Sequence, residues 1–144
     1  MGENKCHNRS YSRVIAKLKQ AGLRPTRQRI ALAKLLFETE DRHVSAEDLH
    51  GEACASGIGV SLATIYNTLH QFTNSGLMRE VVIEGGRSYF DTNTGNHHHF
   101  FHEDTGRLED IPSDRINVSA LPNAPEGTEV RRVDVVVRVA RRSD

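Results

Sequence analysis

Cysteine is almost absent from this 144-residue chain: Cys6 and Cys54 are the only two, far apart and without the short spacings of a zinc knuckle or a disulfide framework. That usage fits a reducing cytoplasm. No apolar run approaches the roughly 20 residues that a membrane span requires, and the polar opening Gly2-Glu3-Asn4-Lys5 lacks the apolar core of a signal peptide. The sequence therefore predicts a soluble, cytoplasmic protein with no membrane partner. Catalytic signatures are missing too: there is no Gly-rich phosphate loop, no nucleophile elbow and no His-Glu-x-x-His pair. A chain of this length also lacks the size for a large enzyme with a closed substrate pocket, so a non-enzyme is expected.

Net charge is the last absence. The 19 Lys+Arg balance the 19 Asp+Glu, which argues against a uniformly basic coat for nucleic acid. The balance conceals a split. Residues 1–37 carry nine basic side chains against the single acid Glu3, whereas residues 84–125 carry Arg87, Arg107 and Arg115 against seven acids. At 37% hydrophobic the chain can bury a core, as one domain or as two small ones that gain from oligomerisation.

Apolar spacing then divides the chain into elements. Tyr11, Val14, Ile15 and Leu18 share a helix face that Gly22 ends. Thr26 caps a second helix through Ile30, Ala33, Leu36 and Phe37. Its start carries Arg27 and Arg29, cations that oppose the helix dipole and so suit an external anion. Ser45 and Asp48 form a capping box for a short helix through Leu49 and Ala53. Ser61 caps a helix that buries Leu62, Ile65, Leu69 and Phe72 and turns the uncharged polar residues Tyr66, Asn67, His70, Gln71 and Asn74 outward, a face suited to base edges. Period-two runs from Met78 to Ile83 and from Arg87 to Asp91, joined by Glu84-Gly85-Gly86, make a hairpin.

Helix, short helix, helix and hairpin is the order of a winged helix-turn-helix, whose third element enters the major groove. Beyond it lie two short strands around Asp104-Thr105-Gly106, a connector punctuated by Pro112, Pro122 and Pro125, and a last strand from Thr128 to Ala140 with Val133, Val135, Val137 and Val139 on one face. Such a face needs covering, and pairing across a two-fold axis would cover it, so a homodimer is expected. The overall expectation is an α+β chain. Residues 1–91 form a winged-helix DNA-binding domain whose first ten residues are a flexible head, and residues 92–144 form a small α/β domain for dimerisation and effector sensing.

Half of the eight histidines fall in His97-His98-His99-Phe100-Phe101-His102. On an extended segment His97 and His99 point together and His98 points opposite. Two imidazoles so spaced can bind a metal ion or ligate a haem iron once other groups complete the shell, and His43, Glu84 and Asp110 are candidates. Cys6-His7 is a further soft pair, at the terminus.

These residues resemble a known family. Leu18 to Arg29 (LKQAGLRPTRQR), His43 to Leu49 (HVSAEDL), Leu62 to Leu69 (LATIYNTL) and Glu84 to Ser88 (EGGRS) are four ordered blocks similar to the ferric uptake regulator (Fur) family, over about residues 13–111. The resemblance implies a cytoplasmic, homodimeric, metal-responsive transcription factor. It places the sensory metal shell at His43, Glu84, His97, His99 and Asp110, with one Mn²⁺, Fe²⁺ or Zn²⁺ per subunit. It also places the family's Cys-x-x-Cys structural zinc at His102 and Thr105, which excludes a Cys-ligated zinc, and it leaves a second histidine-acid site broken at Asn96, His98 and Asn117.

Loss of the zinc cysteines together with the His97–Phe101 run resembles the family's iron response regulator (Irr) branch of alphaproteobacteria. That likeness implies haem at His97, His98 and His99, and a regulator, mainly a repressor, active under iron limitation and controlled by haem. The alternative is a Fur-type regulator with a divalent corepressor. For DNA the resemblance implies an AT-rich double-stranded operator, with Ser61, Thr64, Tyr66, Asn67 and His70 on the recognition helix, Arg24 in the minor groove and Arg27 and Arg29 on phosphates. Asn67 stands where the family commonly has Arg, which implies a different operator.

Overall fold

The computed structural model describes residues 3–84 and 87–143, with side chains described from Tyr11 onward. The turn glycines Gly85 and Gly86 and the side chains of Cys6 and His7 lie outside the described residues. Two compact units follow one another, the first ending at Thr94 and the second beginning at Gly95. The division falls three residues beyond the expected one. Thr92 belongs to the first unit because its N–H donates to the Arg42 carbonyl at 3.0 Å, while its hydroxyl accepts from the Arg42 N–H at 2.9 Å.

In the first unit, α1 (Glu3–Gln20) begins well inside the segment expected to be a flexible head. Val14 and Leu18 anchor it in the core. It stops at Gly22, where φ is +79°, a conformation that costs glycine little, while the Leu23 N–H reaches back to the Leu18 carbonyl at 2.9 Å. The next helix, α2 (Arg27–Phe37), is capped by Thr26, whose hydroxyl accepts from the Arg29 N–H. The two-residue strand β1 (His43–Val44) leads into α3 (Ala46–Ala55), where Ser45 and Asp48 form the full reciprocal capping box. Ser61 caps α4 (Leu62–Asn74), and Ile65, Leu69 and Phe72 on its inner face are completely buried.

Strands β2 (Arg79–Val82) and β3 (Ser88–Asp91) make the hairpin, and β1 adds to it in the order β1-β3-β2, all antiparallel. Three helices and a hairpin around one apolar core are the winged helix-turn-helix. That core runs from Val14 and Leu18 through Leu32, Leu36, Leu49, Ile65, Leu69 and Phe72 to Phe90.

The second unit is a three-stranded sheet in the order β5-β4-β6. Strand β4 (His97–His102) pairs antiparallel with β5 (Arg107–Pro112), and β6 (Val136–Val139) pairs parallel with β4 on its other side. A single 3-10 turn, Ser113–Arg115, is the helical element described here. The terminal strand is far shorter than the expected run from Thr128 to Ala140. Val136 to Val139 pair in register with β4, and residues 128–135 hold no regular structure, though Val135 still bonds β4 through the His99 N–H at 3.1 Å. Phe101, Leu108 and Ile111 are its buried apolar side chains, a much smaller core than that of the first unit.

Because Phe72 is fully buried on α4, Phe72→Ala should destabilise the first unit by about 3–5 kcal/mol, whereas Ser45→Ala, which removes one cap, should cost about 1 kcal/mol. Urea unfolding followed by circular dichroism measures both, and equal midpoint shifts would contradict the assignment.

Candidate nucleic-acid surface and metal centre

Burial of Ile65, Leu69 and Phe72 turns the opposite face of α4 outward, and Tyr66, Asn67, His70 and Gln71 are all exposed there. Tyr66, an aromatic residue 37% exposed, is held at its far end: its hydroxyl donates to Glu47 Oε1 on α3 at 2.9 Å. That bond favours the neutral phenol, and partial burial and the Glu47 charge act the same way, so the Tyr66 pKa lies above the ordinary 10.0. Thr64, Asn67 and Gln71 share a shallow cleft with Thr26, Gln28 and Arg29 at the start of α2. His70 sets its ring edge-on against Phe90 at 5.5 Å, which draws it toward the wing. The hydroxyls of Ser61 and Thr64 are 3.0 Å apart at the helix cap and are largely used by each other. Arg24 and Arg27 are exposed, while Arg29 is half-buried.

Among the described residues, each unit brings metal-type ligands together. In the first, β1 pairs with β3 so that His43 lies opposite Asp91, and His43 Nε2 is 3.2 Å from Asp91 Oδ2. Asp91 is fully buried and its other oxygen accepts from the Asn93 N–H at 2.8 Å. In the second, His97 and His99 sit on the buried face of β4, with 6% and 1% of their surface exposed. The register sets His99 opposite Asp110, and Asp110 Oδ1 lies 3.4 Å from Nε2 of both imidazoles. His97 Nδ1 is 2.7 Å from the Gly95 carbonyl, which can only accept, so Nδ1 carries the proton. In the neutral ring Nε2 is then a lone pair facing a carboxylate oxygen. A second proton or a metal cation removes that conflict, and a backbone carbonyl behind a ligating imidazole is the usual support for a metal. Imidazole nitrogen with carboxylate oxygen suits zinc, iron or manganese.

A sequence model of the ferric uptake regulator family matches residues 20–138. The chain belongs to that family. It is 38% identical over 100 residues to the ferric uptake regulation protein of Shigella flexneri, covering 69% of this chain and 68% of that one. The corresponding protein of Escherichia coli K12 is 37% identical over 100 residues, with the same coverage. Among solved structures, the ferric uptake regulator of Pseudomonas aeruginosa with manganese superposes with a TM-score of 0.66 at 27% identity, over 90% of this chain and 98% of that one. The Vibrio cholerae regulator shares the fold, with a TM-score of 0.68 at 23% identity, over 88% and 98%. Members of the Fur family are metal-responsive transcription regulators rather than enzymes; they bind DNA and form dimers. No helix among the described residues is long and apolar enough to cross a membrane.

The carboxylate that the structure places beside His43 is Asp91, where the sequence-based reading expects Glu84. Glu84 follows Ile83 beyond the end of β2, whereas the partner of His43 on the sheet is Asp91, level with Arg79 at the opposite end of the same strand. The strand itself carries Val82 about 10 Å from that level at about 3.3 Å per residue, and Glu84 lies two residues beyond its end. Asp91, which sequence reasoning missed, is the carboxylate beside His43, and only the pairing of β1 with β3 brings it there. The three consecutive histidines of β4 divide between its two faces, as the alternation predicts. His98 points away from His97 and His99, and its Nδ1 accepts the Val135 N–H at 3.1 Å. The neutral His98 ring therefore carries its proton on Nε2 and offers no lone pair there, while His97 and His99 are buried around Asp110. His102 bonds Glu109 at 2.9 Å and the Thr105 hydroxyl accepts from the Arg107 N–H. The His102 hydrogen bond, with the Arg107 charge, holds the Glu109 carboxyl below its ordinary pKa.

Replacing Glu47 by Ala removes the acceptor that stabilises the Tyr66 phenol, so its pKa should fall back toward 10.0. Phenolate absorbance against pH reads this directly, and an unchanged Tyr66 titration would disconnect the two residues.

Proposed function

We propose that this chain is a homodimeric repressor of iron-related genes that gains operator affinity when a divalent cation, Mn²⁺, Fe²⁺ or Zn²⁺, is held by His43, Asp91, His97, His99 and Asp110. The observation that carries the reading is the His97 ring: its proton is committed to the Gly95 carbonyl and its lone pair faces Asp110. Neither half-group alone completes a shell, since one offers two donors and the other three. The linker from Thr92 to Asn96 connects Asp91 to His97 directly, and the family likeness supports treating the halves as one centre. A cation ligated by both would tie the DNA-binding unit to the dimerisation unit, and differential affinity for the two arrangements would bias DNA binding. The small apolar core of the second unit and its exposed Val118, Leu121 and Val130 support a dimer there.

On DNA, Tyr66 makes apolar contact with thymine methyls, Asn67 reads adenine, Arg24 enters an AT-rich minor groove, and Arg27 and Arg29 hold phosphates, with Ser61, Thr64 and His70 at the margins. A second reading, haem control as in the Irr branch in the cytoplasm under iron limitation, is favoured by the His97–Phe101 run. If His98 is an axial ligand, it exchanges its bond with the Val135 N–H for iron; His97 and His99 are the other nominated ligands.

One titration separates the readings. Operator binding by the purified chain is followed while Mn²⁺ or haem is added, with the Soret band recorded alongside. Binding that appears with Mn²⁺ supports the cation reading; a Soret shift with loss of binding supports haem; no binding in either removes both. His99→Ala and Asp91→Ala should each weaken Mn²⁺ binding more than about tenfold, and Glu84→Ala should leave it unchanged. Calorimetric titration measures this, and a loss confined to Glu84→Ala would restore the sequence-based set. Tyr66→Ala should lower operator affinity by roughly 1–3 kcal/mol, and an unaltered gel-shift midpoint would remove it from the interface.

A further inference from the structure

Arg29 is not a loose surface cation. Its Nε and Nη2 donate to a single acceptor, Gln71 Oε1 on α4, at 3.2 and 3.0 Å, and its Nη1 donates to the Arg24 carbonyl at 3.0 Å. A guanidinium has five N–H donors and no acceptor, so these bonds settle two things. The Gln71 amide is oriented with oxygen toward Arg29 and nitrogen away. One N–H on each terminal nitrogen of Arg29 is left over, so two donors remain for a phosphate.

We propose that Gln71 is a positioning residue for DNA binding: it holds the Arg29 guanidinium, across 42 residues of sequence, with its remaining N–H donors available to a DNA phosphate beside the recognition helix. The inference deepens the DNA-binding reading above and rests on it. Arg29 lines the same cleft as Asn67, one helical turn before Gln71 on the exposed face of α4. A phosphate gripped by Arg29 therefore sets the depth and register at which Asn67 meets a base edge. The gain over a free Arg is preorganisation: the long side chain has surrendered its rotamer freedom before DNA arrives, so less is lost on contact. Gln71 needs no contact with DNA for this role.

The test uses the full chain with Mn²⁺ and a labelled pool of random-sequence duplexes of about two helical turns, with anisotropy recorded over a NaCl series. Gln71→Met matches the natural side chain in length but lacks the acceptor. It should lower affinity about tenfold, uniformly across sequences, and reduce the slope of log K against log salt by about one, as for the loss of one phosphate contact. Arg29→Met should do the same, and the double variant Arg29→Met/Gln71→Met should bind no more weakly than Arg29→Met alone. Melting temperatures should stay together throughout, because a mere tie between α2 and α4 would change stability and leave the salt slope intact. An unchanged slope in Gln71→Met, or full additivity in the double variant, overturns the proposal. A natural chain that binds no duplex at any salt overturns the DNA-binding reading itself, a failure visible before any variant is made.

Discussion

Burial of one stripe of α4 governs the DNA-binding half of the molecule. Ile65, Leu69 and Phe72 are completely removed from solvent. At roughly 25 cal/mol per Å² of apolar surface, three such side chains supply several kcal/mol toward folding. With 3.6 residues per turn, fixing that stripe also fixes the opposite face, so Tyr66, Asn67 and Gln71 cannot point inward. Stability and presentation of the reading face are thus one constraint. Leu18, Leu36 and Leu49 from the other three helices complete the packing that holds α4 in place.

Side chains on the outer face are then held at their ends by neighbouring elements. Glu47 on α3 holds the Tyr66 hydroxyl, and Gln71 on α4 holds Arg29 of α2. Both bonds are at the surface, where a single hydrogen bond contributes little net stability. Their consequence is orientation. An aromatic ring fixed at its hydroxyl and a guanidinium fixed on one edge meet a ligand with less freedom left to lose.

In the second unit the corresponding constraint is the period of two along β4. It sends His97 and His99 to the buried face and His98 to the other, where the Val135 N–H binds it. Antiparallel register with β5 supplies the acid, since His99 lies opposite Asp110. Hydrogen bonds and ion pairs join the ends of these strands: His102 with Glu109, and Arg138 with Glu103 at 2.7 Å tying β6 to the end of β4. Arg138 also lies over the Phe101 ring at 5.1 Å.

Short-range physics was legible in the chain from the start. The Ser45–Asp48 box, the Ser61 cap, the stop at Gly22, the outward face of α4 and the alternation of His97, His98 and His99 each depend on residues within a turn or a few strand positions of one another, and the chain carries that information locally. The pairing of distant segments was not legible. Asp91 stands beside His43 because β3 lies next to β1, 48 residues apart in register, and no local spacing singles it out over Glu84. Likewise Gln71 meets Arg29 across 42 residues and Glu47 meets Tyr66 across 19. The sequence by itself determined the elements, their inner and outer faces and the ligand types available. Only the tertiary structure decided which carboxylate, which amide and which tautomer each of those groups faces, because long-range contacts are selected by packing of the whole core and not by the period of any one element.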